Sequence, residues 1–239
     1  MTRDAHHLLL GFFAALLCVS TGHAVGQDLK ATGELGPGDD KLSDSGEFYD
    51  RYEIDLKAGE LLDVTMVSED VDAYLIVVPP IGESVENDDA GEIDSIDSRV
   101  LLIAPVTGKY EIIATTSLAE EAGRYEIEAN RYKTEIQDRK GGSLSEDDEV
   151  SWKGGEYVDR YEIVIPKGER RYVVAVSDAF DAYLAAHGSD GQAVYSDDPA
   201  ALLLEGGENG TTYTVVVTSY DAKEVGDYGY EVRSVHDDL

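Results

Sequence analysis

From residue 28 onward the chain is ordered by alternation of apolar and polar positions. In "RYEIDL" (51–56), Tyr52, Ile54 and Leu56 alternate with Arg51, Glu53 and Asp55. A period of two puts one set of side chains on a buried face and the other in water, which is the signature of a half-buried strand. The segments "LLDVTMVS", "AYLIVV", "SRVLLIA", "KYEIIATTS" and "RYEIEANR" continue the series. Turn signals such as "KAGE" (57–60) and "PKGE" (166–169) separate such strands at a spacing of roughly ten residues. No stripe of helical period runs to any length; "SLAEEAG" (117–123) is long enough for one turn. The pattern predicts an all-β chain of antiparallel sandwiches rather than alternating strands and helices.

The pattern also repeats. "DRYEI" stands at 50–54 and again at 159–163, an offset of 109 residues. At the same offset "VDAYL" (71–75) faces "FDAYL" (180–184), and Asp88-Asp89 face Asp197-Asp198. Without gaps, 33–89 against 142–198 gives 23 identities in 57 positions, which marks a duplicated module. Further on the offset falls to 103, where "KYEIIATTS" pairs with "TYTVVVTS", so the second copy has a loop shorter by six residues. The polar stretch 133–141 precedes Gly142 and reads as a linker between domains at 28–132 and 142–239. Two tandem antiparallel β-sandwiches are expected, each folding independently and each large enough for its own core.

The first residues belong to neither copy. Arg3, His6 and His7 precede "LLLGFFAALLCV", and small residues follow. This is the layout of a secretory signal peptide spanning 1–24, with cleavage after Gly26 as the alternative. The apolar run is too short to span a bilayer comfortably. Cleavage removes Cys18, the chain's only cysteine, so the exported protein has neither a disulfide nor a thiol nucleophile. The expected location is the periplasm or the extracellular medium.

Charge narrows the choice of partner. The chain carries 19 Lys+Arg against 50 Asp+Glu, a formal net charge of -31. Both halves share the excess: 8 against 25 in residues 30–132, and 10 against 23 in 133–239. Such a surface repels nucleic acid and anionic membranes and favours cations.

Catalytic constellations are recognised by their spacing. There is no H-E-x-x-H, G-x-S-x-G, Gly-rich phosphate loop or C-x-x-C. His187 and His236 are the histidines left after cleavage. The chemistry that does stand out is clustered carboxylates: Asp39 and Asp40, then Asn87, Asp88, Asp89, Glu92 and Asp94 in the first copy, and Asp147, Asp148, Asp197 and Asp198 at equivalent places in the second. Calcium takes oxygens of these types from flexible loops, so these residues are candidate calcium ligands. Asp50 and Asp159 read as carboxylates that accept backbone N–H bonds at a strand start. Asp72 and Asp181 read as turn-fixing residues. Tyr52, Tyr74, Tyr161 and Tyr183 fall in phase with apolar neighbours and are expected in the core.

The motif order is G-x-L, an acidic stretch, D-x-Y-x-I, a glycine turn, "DAYL", "NDD", "SRV", "APVTGKY" and "G-x-Y-x-I". It is carried by Asp50, Tyr52, Gly59, Asp72, Tyr74, Asn87, Asp88, Asp89, Ser98, Ala104, Pro105, Gly108, Tyr110, Gly123 and Tyr125. It resembles the bacterial pre-peptidase C-terminal domain family over about 200 of the 239 residues. The second copy follows it through Asp198 and then departs, with "LLLEGGENG" in place of the "APVTG" turn. The resemblance implies a jelly-roll-like sandwich, used as a non-catalytic appendage of secreted peptidases in export or in attachment to insoluble substrates. Related collagen-binding domains hold calcium near the domain start.

Together these readings lead to an expected function as an exported, non-catalytic binding or adhesion module, calcium-stabilised, whose target is an extracellular polymer or a secreted protein. The rival readings are a hydrolase with an unrecognised carboxylate site and a purely structural component of the envelope.

Overall fold

The computed structural model describes residues 27–43, 45–90, 95–151, 154–197 and 199–237. The signal peptide expected at 1–24 lies outside these residues. All regular structure among the described residues is strand, and no helix there is long and apolar enough to cross a membrane. The stretch 117–123 is a turn instead of a helical one, held by the left-handed Glu120 (φ 66°). Lys223, at the equivalent place in the second copy, is left-handed too (φ 67°).

The first copy supplies β1 (Gln27–Leu35), β2 (Asp40–Lys41), β3 (Phe48–Leu56), β4 (Leu61–Val67), β5 (Ala73–Val78), β6 (Val85–Asn87), β7 (Ser98–Ile103), β8 (Gly108–Thr116) and the start of β9 (Gly123–Leu144). They form two antiparallel sheets, ordered β1-β9-β4-β7 and β2-β3-β8-β5-β6. The chain crosses between the sheets at every connection except the short hairpins β2–β3 and β5–β6, which is jelly-roll topology. The second copy repeats it with β10 (Glu149–Val150), β11 (Tyr157–Ile165), β12 (Arg170–Val176), β13 (Ala182–Gly188), β14 (Ala193–Ser196), β15 (Ala201–Glu205), β16 (Thr211–Ser219) and β17 (Gly226–His236). Its sheets run β9-β17-β12-β15 and β10-β11-β16-β13-β14.

Strand β9 serves both copies. Its first part pairs with β1 and β4, and from Lys133 to Leu144 it pairs with β17. The stretch 133–141, read from its polarity as a linker, is therefore strand. The residues from Glu135 to Gly141 are exposed, so water explains the polar composition while β17 pairs with one edge of the backbone.

Alternation places each core as expected. Ile54, Leu62, Val64, Leu75, Ile112 and Ile127 meet between the sheets of the first sandwich. Ile165, Val173, Leu184, Val215 and Tyr230 do so in the second. A third apolar cluster was not expected: Leu61, Leu101 and Tyr132 pack against Tyr172, Ala201 and Val235, joining the outer faces of β4 and β7 to those of β12 and β15. Leu61 and Leu62 are neighbours on one strand and both are fully buried, Leu62 in the first core and Leu61 against the other sandwich. Arg170, which aligns with Leu61, lays its guanidinium over the Tyr132 ring at 4.3 Å.

The "DRYEI" motif acquires its meaning in each core. Tyr125 donates to Asp50 Oδ2 at 2.6 Å and shares a 2.7 Å bond with the Tyr52 hydroxyl. Tyr228, Asp159 and Tyr161 repeat the trio at 2.5 Å for both contacts. Asp50 and Asp159 thus receive a tyrosine hydroxyl and not the expected backbone N–H, while Arg51 turns outward to Glu111 and Arg160 to Glu149. The rings need room, and glycine provides it. A Cβ on Gly33 would lie 2.3 Å from the Tyr125 ring, and one on Gly142 would lie 2.2 Å from that of Tyr228. Gly33→Ala is expected to cost about 1–3 kcal/mol through overpacking, read as a lower denaturation midpoint.

Candidate binding cleft between the sandwiches

The candidate carboxylates divide by location. Asp39 accepts the Gly36 N–H at 2.8 Å, and Asp148 accepts the Ser145 N–H at 2.7 Å, so each closes its own turn. Asp40 and Asp147 are exposed beside them. Glu92, Asp94 and Asp198 lie outside the described residues. Asn87 is spent on its loop: its amide donates to the Arg99 carbonyl at 2.9 Å and its oxygen accepts the Asp89 N–H at 3.1 Å. Among the described residues, no three His, Cys, Asp or Glu side chains stand together as a ready-made metal site.

Two expected turn residues act differently. The turns before β5 and β13 are fixed by serines: Ser68 Oγ accepts N–H bonds from Asp70 and Val71, both at 3.0 Å, and donates to the Arg124 carbonyl. Ser177 does the same for Ala179, Phe180 and the Asp227 carbonyl. Asp72 and Asp181 contribute backbone oxygens to Ser117 and Tyr220, each at 2.9 Å. Their side chains are left to interact by charge. Tyr74 and Tyr183 alternate out of the core onto the opposite sheet face, because Ala73, Leu75, Ala182 and Leu184 point inward.

The fold brings the equivalent Asp-Asp loops of the two copies towards one cleft. Burial raises the Asp89 carboxyl above its ordinary value, and the charges of Asp88, Asp197 and Asp72 push in the same direction. Burial and then Asp88 raise Asp72, while burial, Asp197 and Asp221 raise Asp181. Tyr183 is stacked on Tyr195 at 6.2 Å and is pushed up to about 12 by burial first, then by Asp197, Tyr195 and Asp89. Carboxylates from both sandwiches therefore repel across the gap.

The cleft has two ends. The polar end, about 150 Å³, is lined by Asn87, Asp89, Arg99, Tyr195 and Pro199. Arg99 is held by Asp63 through two bonds of 2.8 Å. The apolar end, about 480 Å³, is lined by Val85, Ile103, Tyr172, Val174 and Val176, with Arg139 paired to Glu231. Leu101 and Pro199 line both, so the two adjoin. The Asp63–Arg99 pair and the apolar wall were missed in the sequence. Their signal was broken alternation in "LLDV", "RVLLI" and "ALLLE", where apolar residues fill both faces of a strand.

The repulsion predicts a pH effect. Asp72, Asp89 and Asp181 have folded pKa values above their unfolded ones, so they oppose folding at neutral pH, and the opposition fades as pH falls through the raised values. Glu128, lowered by Asn130 and Lys30, acts oppositely and loses its contribution only below the ordinary carboxylate range. Mild acidification from neutrality is expected to raise the melting midpoint, and Asp89→Asn should flatten that rise. A midpoint that only falls on acidification would refute the repelling cluster.

No family model matches the chain, and no curated protein matches it. Among solved structures, tripeptidyl peptidase 2 is similar at 9% identity and a TM-score of 0.25, covering 86% of this chain and 23% of its own. A triple jelly-roll turret protein of an archaeal virus gives 9% identity and a TM-score of 0.24 over 80% of this chain and 56% of its own. A structure of Sulfolobus turreted icosahedral virus gives 8% and 0.20 over 82% and 58%. The chain thus spans less than two thirds of each.

Proposed function

We propose that the chain is an exported, non-catalytic binding module that attaches to an extracellular polymer or a secreted protein, with calcium as a stabilising ion. The observation that carries this is the convergence of the equivalent Asp88-Asp89 and Asp197 loops, one from each sandwich, on a single cleft. The motif residues outside it are spent on structure: the Asp-Tyr-Tyr trios brace the cores, and Asp39 and Asp148 close turns. A recognition surface between two sandwiches fits this division.

The test is co-sedimentation of the mature chain with insoluble wall, fibre and polysaccharide fractions, alongside capture from a secretome. Retention on one fraction, reduced by changes in the cleft, supports the reading. Uniform absence of retention and capture, or turnover in a hydrolase screen that one Asp or Glu substitution abolishes, would overturn it.

Calcium has its own measurement. At fixed high NaCl, millimolar calcium should raise the melting midpoint relative to chelator, and Asp88→Ala with Asp89→Ala should blunt the shift. An ion at a hundred times its dissociation constant adds about 2.7 kcal/mol. Equal midpoints with calcium and with chelator would leave only general screening.

A further inference from the structure

We infer that the apolar end of the cleft seats an extended peptide segment of a partner protein, one that carries an apolar side chain next to a lysine or arginine. The inference rests on the binding-module reading and names the partner's chemistry and its seat.

The wall comes first. Val85 and Ile103 of the first sandwich face Val174 and Val176 of the second across a volume of about 480 Å³. That lies within the range of pockets that enclose small ligands or side chains, and its lining is mostly aliphatic. Val176 stands at 62% exposure, an apolar group left in water on the cleft wall. Water in such a space is released when an apolar group enters.

Charge then selects the occupant. Leu101 and Pro199 also line the adjoining polar end that holds Asp89, and Asp72, Asp88 and Asp197 act on that same carboxylate. The cations lining the cleft are already paired, Arg99 with Asp63 and Arg139 with Glu231. A positive group beside the carboxylates relieves their repulsion, whereas an anionic group adds to it. A second copy of this chain, with a net charge of -31, is repelled, as are nucleic acid and anionic lipid.

The experiment titrates fluorescent tetrapeptides into the whole mature chain at physiological salt with chelator present, so that calcium does not occupy the same carboxylates. One peptide alternates lysine with leucine and phenylalanine. The second replaces lysine by glutamate, and the third is tetralysine. The lysine–apolar peptide is expected to bind saturably and the glutamate peptide not at all, with tetralysine weaker and lost at high salt. Val176→Lys should weaken the first peptide about tenfold or more, the scale of a central contact. Val164→Lys is the control: Val164 is 64% exposed on β11, outside the cleft, and the charge change is identical. It should change affinity less than about threefold, a rim-charge effect. Equal losses in the two variants, or no saturable binding to the wild type, would overturn the inference. Retention on a polymer without peptide binding would sink it while leaving the binding-module reading intact.

Discussion

Replacement of Leu61 by aspartate is expected to destabilise both sandwiches together, by about 3–5 kcal/mol. Leu61 is fully buried, and its cluster draws on Leu101 and Tyr132 of the first sandwich and on Tyr172, Ala201 and Val235 of the second. An unpaired carboxylate there loses its hydration, and the contacts of the leucine go with it. The joint response follows from β9, which is the closing strand of one jelly roll and the opening strand of the next. Fragments 27–132 and 133–237, expressed apart, should each expose an apolar face and melt well below the whole chain. Calorimetry decides the matter. One cooperative transition that shifts as a unit in Leu61→Asp is the expected result. Two transitions, only one of which moves, would mean that the sandwiches are energetically separate and that the third cluster contributes little.

This coupling was hidden in the sequence for a physical reason. Alternation reports which face of a strand is dry relative to its own sheet partner, and it located both cores through residues such as Ile54, Leu75 and Ile163. It says nothing about what covers the other face. The runs at Leu61-Leu62, Leu101-Leu102 and Leu202-Leu203 fill both faces, and only a second packed layer makes sense of them. The polar stretch 133–141 misled for the complementary reason. Its side chains are wet, but its backbone is paired with β17, and composition registers only side chains. The acidic motifs were legible as residues but not as roles. Asp39 and Asp148 each serve a turn within three residues of themselves, whereas Asp89 and Asp197 meet through a fold that puts about a hundred residues between them in sequence. The duplicated alignment made their equivalence visible, but their convergence on one cleft depends on how the outer faces pack.

The second large effect concerns the tyrosine braces. Tyr125→Ala is expected to cost about 3–5 kcal/mol, as for an aromatic ring lost from a core, and Tyr228→Ala should match it in the other copy. Tyr125→Phe keeps the ring and removes the donor to Asp50, for about 1–3 kcal/mol. Burial raises both hydroxyls far above the ordinary tyrosine value, and the bonds to Asp50 and Asp159 raise them further. A raised folded pKa means that the contribution is whole below the unfolded value, about 10, and is lost as pH rises beyond it. Alkaline unfolding should therefore start above that point, with tyrosinate absorbance appearing together with loss of structure. Glycine supplies the sharper test. The atoms nearest a Cβ on Gly33 all belong to the Tyr125 ring, so the cost of Gly33→Ala should largely vanish in a Tyr125→Ala background. If instead the two costs simply add, glycine at this position serves the backbone of β1, and the account of Gly33 and Gly142 as seats for the two rings is wrong.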